Sequence, residues 1–215
     1  MVKSILNKKI KDGEIQNCFN WDYYPNMELL DSFLDLMDAY GLSGMQRIRL
    51  HGIFNAALND AMVITWFYKF LYEIPRPNQL DNKLKTMLCT PYHPSYPSGH
   101  SVMVSTGIEL LSSMFPEEIE QMDKLMEDCK RARLNSGVHF DADNRYGEIL
   151  GRNIGRYIFE KISNQIDENG RINSVFRRPA RRPILKVQKR KNMNILKCDS
   201  LIDKRSVNYM NRWYK

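Results

Sequence analysis

Asp143-Asn-Arg-Tyr-Gly147-Glu-Ile-Leu-Gly151-Arg-Asn-Ile-Gly155-Arg-Tyr-Ile-Phe-Glu-Lys-Ile162 repeats glycine at every fourth position. The stretch reads as a core helix with Gly147, Gly151 and Gly155 stacked along one face. Each glycine weakens a helix by about 1 kcal/mol relative to alanine. Three on one face make sense if a second backbone packs closely there. The segment therefore predicts a tight helix pair. No run of β-branched residues alternates with period two elsewhere, so the chain reads as an all-α helical bundle.

Working outward, Pro116 opens a helix rich in Glu117, Glu118 and Glu120, which suit the positive end of its dipole. It is expected to run through Arg133 to about Ser136. Ser101 to Phe115 is apolar and serine-rich, a helix starting directly behind His100. Residues 75–99 are rich in Pro, Asn and Ser and read as a long loop, a feature that is often functional in compact domains. Ser43 is placed to cap a helix reaching about Glu73, ended by Pro75 and Pro77. Its apolar positions recur so often that much of its circumference is expected to be buried. Before it, Met27 to Tyr40 has helical periodicity and Gly41 a stop. Residues 1–26 read as a polar, irregular arm that Trp21, Tyr23 and Tyr24 pack on the body, 27–165 as the bundle and 170–215 as a basic tail.

The 215 residues suffice for one domain with a substantial core. The net charge of +7 hides an asymmetry: residues 1–170 carry 18 Lys/Arg against 23 Asp/Glu, whereas residues 171–215 carry 14 against 2. A mildly acidic body thus bears a basic, partly disordered extension able to contact polyanions, nucleic acid included. Cys18, Cys89, Cys129 and Cys198 are widely spaced, which argues against zinc and for reduced thiols. The longest apolar run, Ala61 to Tyr68, is too short to span a bilayer, and the first residues lack a signal-peptide pattern. The expectation is a cytoplasmic protein.

Three ordered segments carry the chemistry: Lys69-x6-Arg76-Pro77, Pro97-Ser98-Gly99-His100 and Arg133-x5-His139-x3-Asp143. They gather a lysine, two arginines, two histidines, one aspartate and a Ser-Gly pair at a helix start. These groups can hold a tetrahedral oxyanion and perform acid–base or nucleophilic work on it.

These segments resemble the type 2 phosphatidic acid phosphatase/vanadium-dependent haloperoxidase superfamily, over about residues 45–160. The stretch Arg49 to Trp66, with Asp60-Ala61, looks like the haloperoxidase helix that precedes the lysine. Gly137-Val-His139 looks like the haloperoxidase form of the third motif, and His93 matches a histidine typical of bromoperoxidases. The resemblance implies a helical bundle in which His139 is the vanadate ligand, or the phosphohistidine nucleophile of a phosphatase that needs no cofactor. It implies that Asp143 orients His139 and that His100 is the acid–base. Lys69, Arg76, Ser98, Gly99 and Arg133 would hold the oxyanion, with His93 and Asp60 in supporting positions. Substrates would be peroxide and halide, or a phosphate ester; a third reading is an inactive anion-binding relative. Two departures stand out. Ala132 replaces the serine usual before the arginine in phosphatases, and the chain is shorter than typical haloperoxidases, which carry an additional bundle. Elements of the halide pocket are then missing, or come from a second subunit in a homo-oligomer.

Overall fold

The computed structural model describes residues 12–23, 25–166 and 175–185. Among the described residues seven α-helices follow in order: α1 (Asp12–Tyr23), α2 (Pro25–Ala39), α3 (Gly44–Tyr72), the single turn α4 (Pro77–Leu80), α5 (Gly99–Met114), α6 (Ile119–Asn135) and α7 (Asp141–Ile162). A 3-10 turn at Pro116–Glu118 leads into α6. No strand occurs among the described residues.

The axis of the bundle is α5, buried over most of its length and packed against α7, α3, α6 and α2. The glycine stripe explains how α7 comes so close. A methyl group on Gly155 would lie 2.7 Å from the Thr106 carbonyl, and one on Gly147 3.0 Å from that of Ser98. At Gly151 it would collide with Ser105 Oγ and the Val102 carbonyl. The close helix pair expected from sequence is present, with the N-terminus of α5 held beside the start of α7.

Local signals set the helix ends. Ser43 and Gln46 form a reciprocal capping box at the start of α3. Glu73 closes that helix in the left-handed region at φ 47°. Gly41 (φ 62°) ends the turn after α2, and Gly137 (φ 75°) turns the chain between α6 and α7.

Four expectations need correction. Residues 12–23 are a helix, not an irregular arm: Cys18 and Trp21 are fully buried, and Cys18 Sγ and Asn17 Nδ2 reach the Ala132 and Asp128 carbonyls of α6. Tertiary burial, not local propensity, orders this segment. Secondly, residues 175–185 of the basic extension lie on the bundle. Phe176 stacks on Phe115 with its amide donating to the Met114 carbonyl, and Arg181 pairs with Asp35. Residues 1–11, 167–174 and 186–215, with most of the basic charge, lie outside the described residues. Thirdly, α3 buries one stripe only (Leu50, Phe54, Ala57, Leu58, Ala61, Thr65, Lys69) and exposes its opposite side. Cys18 and Cys129 are buried free thiols, as expected, but Cys89 is disulfide-bonded.

Candidate active site

The end of α3, the 73–98 loop, the N-terminus of α5 and the α6–α7 turn meet at one end of the bundle. Lys69, on the last turn of α3, is completely buried, and its ammonium donates to the Pro94 (2.7 Å) and Ser95 (3.1 Å) carbonyls. Arg76 is equally enclosed. Its Nη1 donates to the Val138 carbonyl at 2.7 Å and to His139 Nε2 at 2.9 Å; its Nε donates to the His93 carbonyl.

His139 and Asp143, four residues apart across the start of α7, form the second half. His139 Nδ1 lies 3.1 Å from Asp143 Oδ2, which also accepts the Ser95 hydroxyl (2.5 Å) and the Phe140 amide (3.0 Å). A carboxylate with three donors fixes the proton of the imidazole on Nδ1, leaving the lone pair on Nε2. Burial, then Arg76 and Lys69, holds His139 well below the usual histidine range, so the ring is neutral. Burial pushes Asp143 up, opposed by the Ser95 hydrogen bond.

Ser98 caps α5: its hydroxyl oxygen accepts the Ser101 amide, and its own amide donates to the Asp143 carbonyl. Gly99 begins that helix, where first-turn amides lack intrahelical acceptors. Its Cα faces the Lys69 stem; a Cβ there would sit 3.8 Å from Lys69 Cε.

His100 hydrogen-bonds the Asp22 main chain, and its Nε2 is buried with no partner among the described residues. Burial, then Arg133 and Arg76, keeps it neutral. Arg133, also buried, pairs through Nη1 with Asp22 Oδ1 at 2.9 Å, while its Nε is buried with no partner among the described residues.

His93 stands behind Arg76, its Nδ1 3.2 Å from Nη2 and its ring edge-on to Trp66. Burial, then Lys69 and Arg76, lowers it to about 3, so it is a neutral acceptor. Asp60 is exposed on α3 and makes none of these contacts, so the structure gives it no supporting place at the site. Ser95, Asp22 and the Val138 carbonyl are participants that motif reading missed. Ser95 lies between His93 and the Pro97–His100 motif, whereas Asp22 has no local signal.

The cluster is short of negative charge. Burial and Arg76 draw Lys69 down to about 6; burial and Arg133 draw Arg76 down to about 9. Buried cations and unbonded donors are costly unless paired. A tetrahedral oxyanion fits this donor set: it supplies the missing charge, has acceptors for His100 Nε2 and Arg133 Nε, and can take the place of Arg76 Nη1 at His139 Nε2 while Arg76 turns to its oxygens.

Residues 116–168 match the family model described as the VCPO second helical-bundle domain. The fold resembles the crystal structure of a bacterial vanadium-dependent iodoperoxidase (TM-score 0.61, 23% identity), covering 74% of this chain and 47% of that one. The chain thus spans about half the length of that enzyme. No curated protein matches it in sequence. The fold is a helical bundle of the vanadium haloperoxidase kind. The partial match and the fold both support the resemblance to the type 2 phosphatidic acid phosphatase/vanadium haloperoxidase superfamily.

Proposed function

We propose that this protein is a vanadate-dependent haloperoxidase that oxidises halide with peroxide. The observation that carries the reading is the neutral, buried His139 Nε2 facing a cationic cluster that leaves His100 Nε2 and Arg133 Nε without partners. Bound vanadate would supply a Lewis-acidic centre for peroxide activation. His139 would hold it through Nε2, with Lys69, Arg76, Arg133, Ser98 and Gly99 around its oxygens.

The chain's own residues account for the proton handling. Asp143 keeps the Nδ1 proton of His139 in place, which maintains the lone pair at Nε2 and raises the basicity of the ring. Ser95 and the Phe140 amide hold Asp143 in turn. His100 has one ring nitrogen committed to Asp22, so proton exchange occurs at Nε2. His93 accepts from Arg76 and stiffens that guanidinium.

A phosphatase working through a phosphohistidine at His139 is the second reading. It is favoured by phosphate having the tetrahedral shape and charge of vanadate, so that the same donor set suits both. Two assays on purified protein separate them: bromide and iodide oxidation by peroxide after vanadate loading, and p-nitrophenyl phosphate hydrolysis with and without vanadate. Vanadate-dependent halogenation is expected. Hydrolysis inhibited by vanadate, without halogenation, would establish the phosphatase instead.

A further inference from the structure

Four tyrosines stand together beside the candidate site, each on an element that also carries a site residue. Tyr68 and Tyr72 flank Lys69 on α3, Tyr96 follows Ser95 in the loop, and Tyr146 lies one turn after Asp143 on α7. Their rings touch in sequence. Tyr68 stacks on Tyr72 (centroids 6.1 Å apart), Tyr72 meets Tyr96 edge-on at 5.5 Å, and Tyr96 meets Tyr146 at 6.1 Å. Burial, then Tyr72, Tyr146 and Asp143, pushes the Tyr96 hydroxyl up, so these groups lie within electrostatic reach of one another. Tyr68 and Tyr96 are half-buried, whereas Tyr72 and Tyr146 are 51% and 50% exposed. Each open ring follows a site residue, Lys69 or Asp143, by three positions, which puts it on the same side of its helix after about 4.5 Å of rise. Tyr157 on α7 is more open still, at 60%, but follows Asp143 only after about 21 Å of rise.

We propose that Tyr72 and Tyr146 are self-halogenation sites, whose rings capture the electrophilic halogen that the candidate site releases during turnover. The inference rests on the haloperoxidase reading above. With iodide, peroxide and a proton give hypoiodous acid and water. The phenol ring then attacks iodine through the carbon ortho to its hydroxyl. The C–I bond forms as the I–O bond breaks, the departing hydroxide takes the ring proton, and the products are iodotyrosine and water. Peroxide is the one oxidant consumed. Local concentration selects the two residues: a species leaving a site one helical turn away meets them before it is diluted, whereas Tyr157 meets it at bulk concentration.

Tryptic mass spectrometry of the full chain, loaded with vanadate and given iodide and limiting peroxide, tests this. A parallel sample measures iodination of a soluble phenol. Tyr72 and Tyr146 are expected to carry about tenfold more iodine than Tyr157. Hypoiodous acid added in bulk, without vanadate or peroxide, should label the three comparably. Tyr72→Phe and Tyr146→Phe should each lose the label at that position and iodinate the soluble phenol at the wild-type rate; if either fails to fold, the wild-type map decides. A protein that iodinates the soluble phenol but labels Tyr157 as heavily as Tyr72 and Tyr146, or labels none of them, overturns this proposal and leaves the haloperoxidase reading standing. So does a bulk reagent that reproduces the same preference, which would then reflect ring reactivity alone. A protein that iodinates nothing overturns both.

Discussion

The Asp22 carboxylate lies 2.9 Å from Arg133 Nη1, although 111 residues separate the two. The same residue's main chain holds His100. One residue at the end of α1 therefore touches both the acid–base candidate and a cation of the oxyanion cradle, from a helix that no motif includes.

Removing that carboxylate leaves Arg133 buried with less compensation. Asp22 is about one-third exposed, so solvent reduces the loss below the ~3–5 kcal/mol of a fully buried pair. Asp22→Ala is expected to lower the melting temperature by a few degrees. Phosphate or vanadate should restore more stability to the variant than to the wild type. Thermal melts with and without anion check this; equal anion stabilisation in both proteins contradicts it.

Lys69 makes anion binding pH-dependent. Its folded-state value of about 6 lies below the unfolded value of 10.5, so between these limits the unfolded chain binds the extra proton. The stability of the anion-free protein should then rise with pH across this window on account of Lys69. An incoming oxyanion favours the ammonium, so binding above pH 6 takes up a proton. Titration calorimetry at pH 7.5 in buffers of different ionisation enthalpy should register net uptake on phosphate binding, lost in Lys69→Met.

His100→Ala and His139→Ala should each abolish turnover while leaving the protein folded. His100→Ala gives up the hydrogen bond to the Asp22 main chain and leaves a cavity, but its buried Nε2 has no partner among the described residues. Its melting temperature should therefore fall only modestly, with the helical circular dichroism retained. Wild-type turnover in either variant refutes its assigned role.

Asp143→Asn keeps the shape of the side chain but removes the charge that fixes the His139 proton. Loss of such a partner commonly weakens metal binding about 10–100-fold. Vanadate affinity measured by equilibrium dialysis should fall in that range, with the circular dichroism spectrum retained.

Gly151→Ala tests the packing that sets α7 against α5. The added methyl would strike backbone at Val102 as well as the Ser105 hydroxyl, and backbone cannot rotate away. Destabilisation of about 3 kcal/mol or more is expected in urea unfolding.

The amino-acid sequence alone determined the all-α bundle, the close pairing of α7 with another helix, the capping of α3 at Ser43 and the three motif segments. These are legible because helix periodicity, capping and close approach are governed by residues within a few positions of one another. Tertiary structure decided what depends on distant partners. It ordered Asp12–Tyr23 against α6, brought Asp22 to Arg133 and His100, and laid residues 175–185 along the bundle. It also chose which apolar residues of α3 face inward. Periodicity shows that a helix has apolar sides, but only the packed neighbours determine which of them is covered.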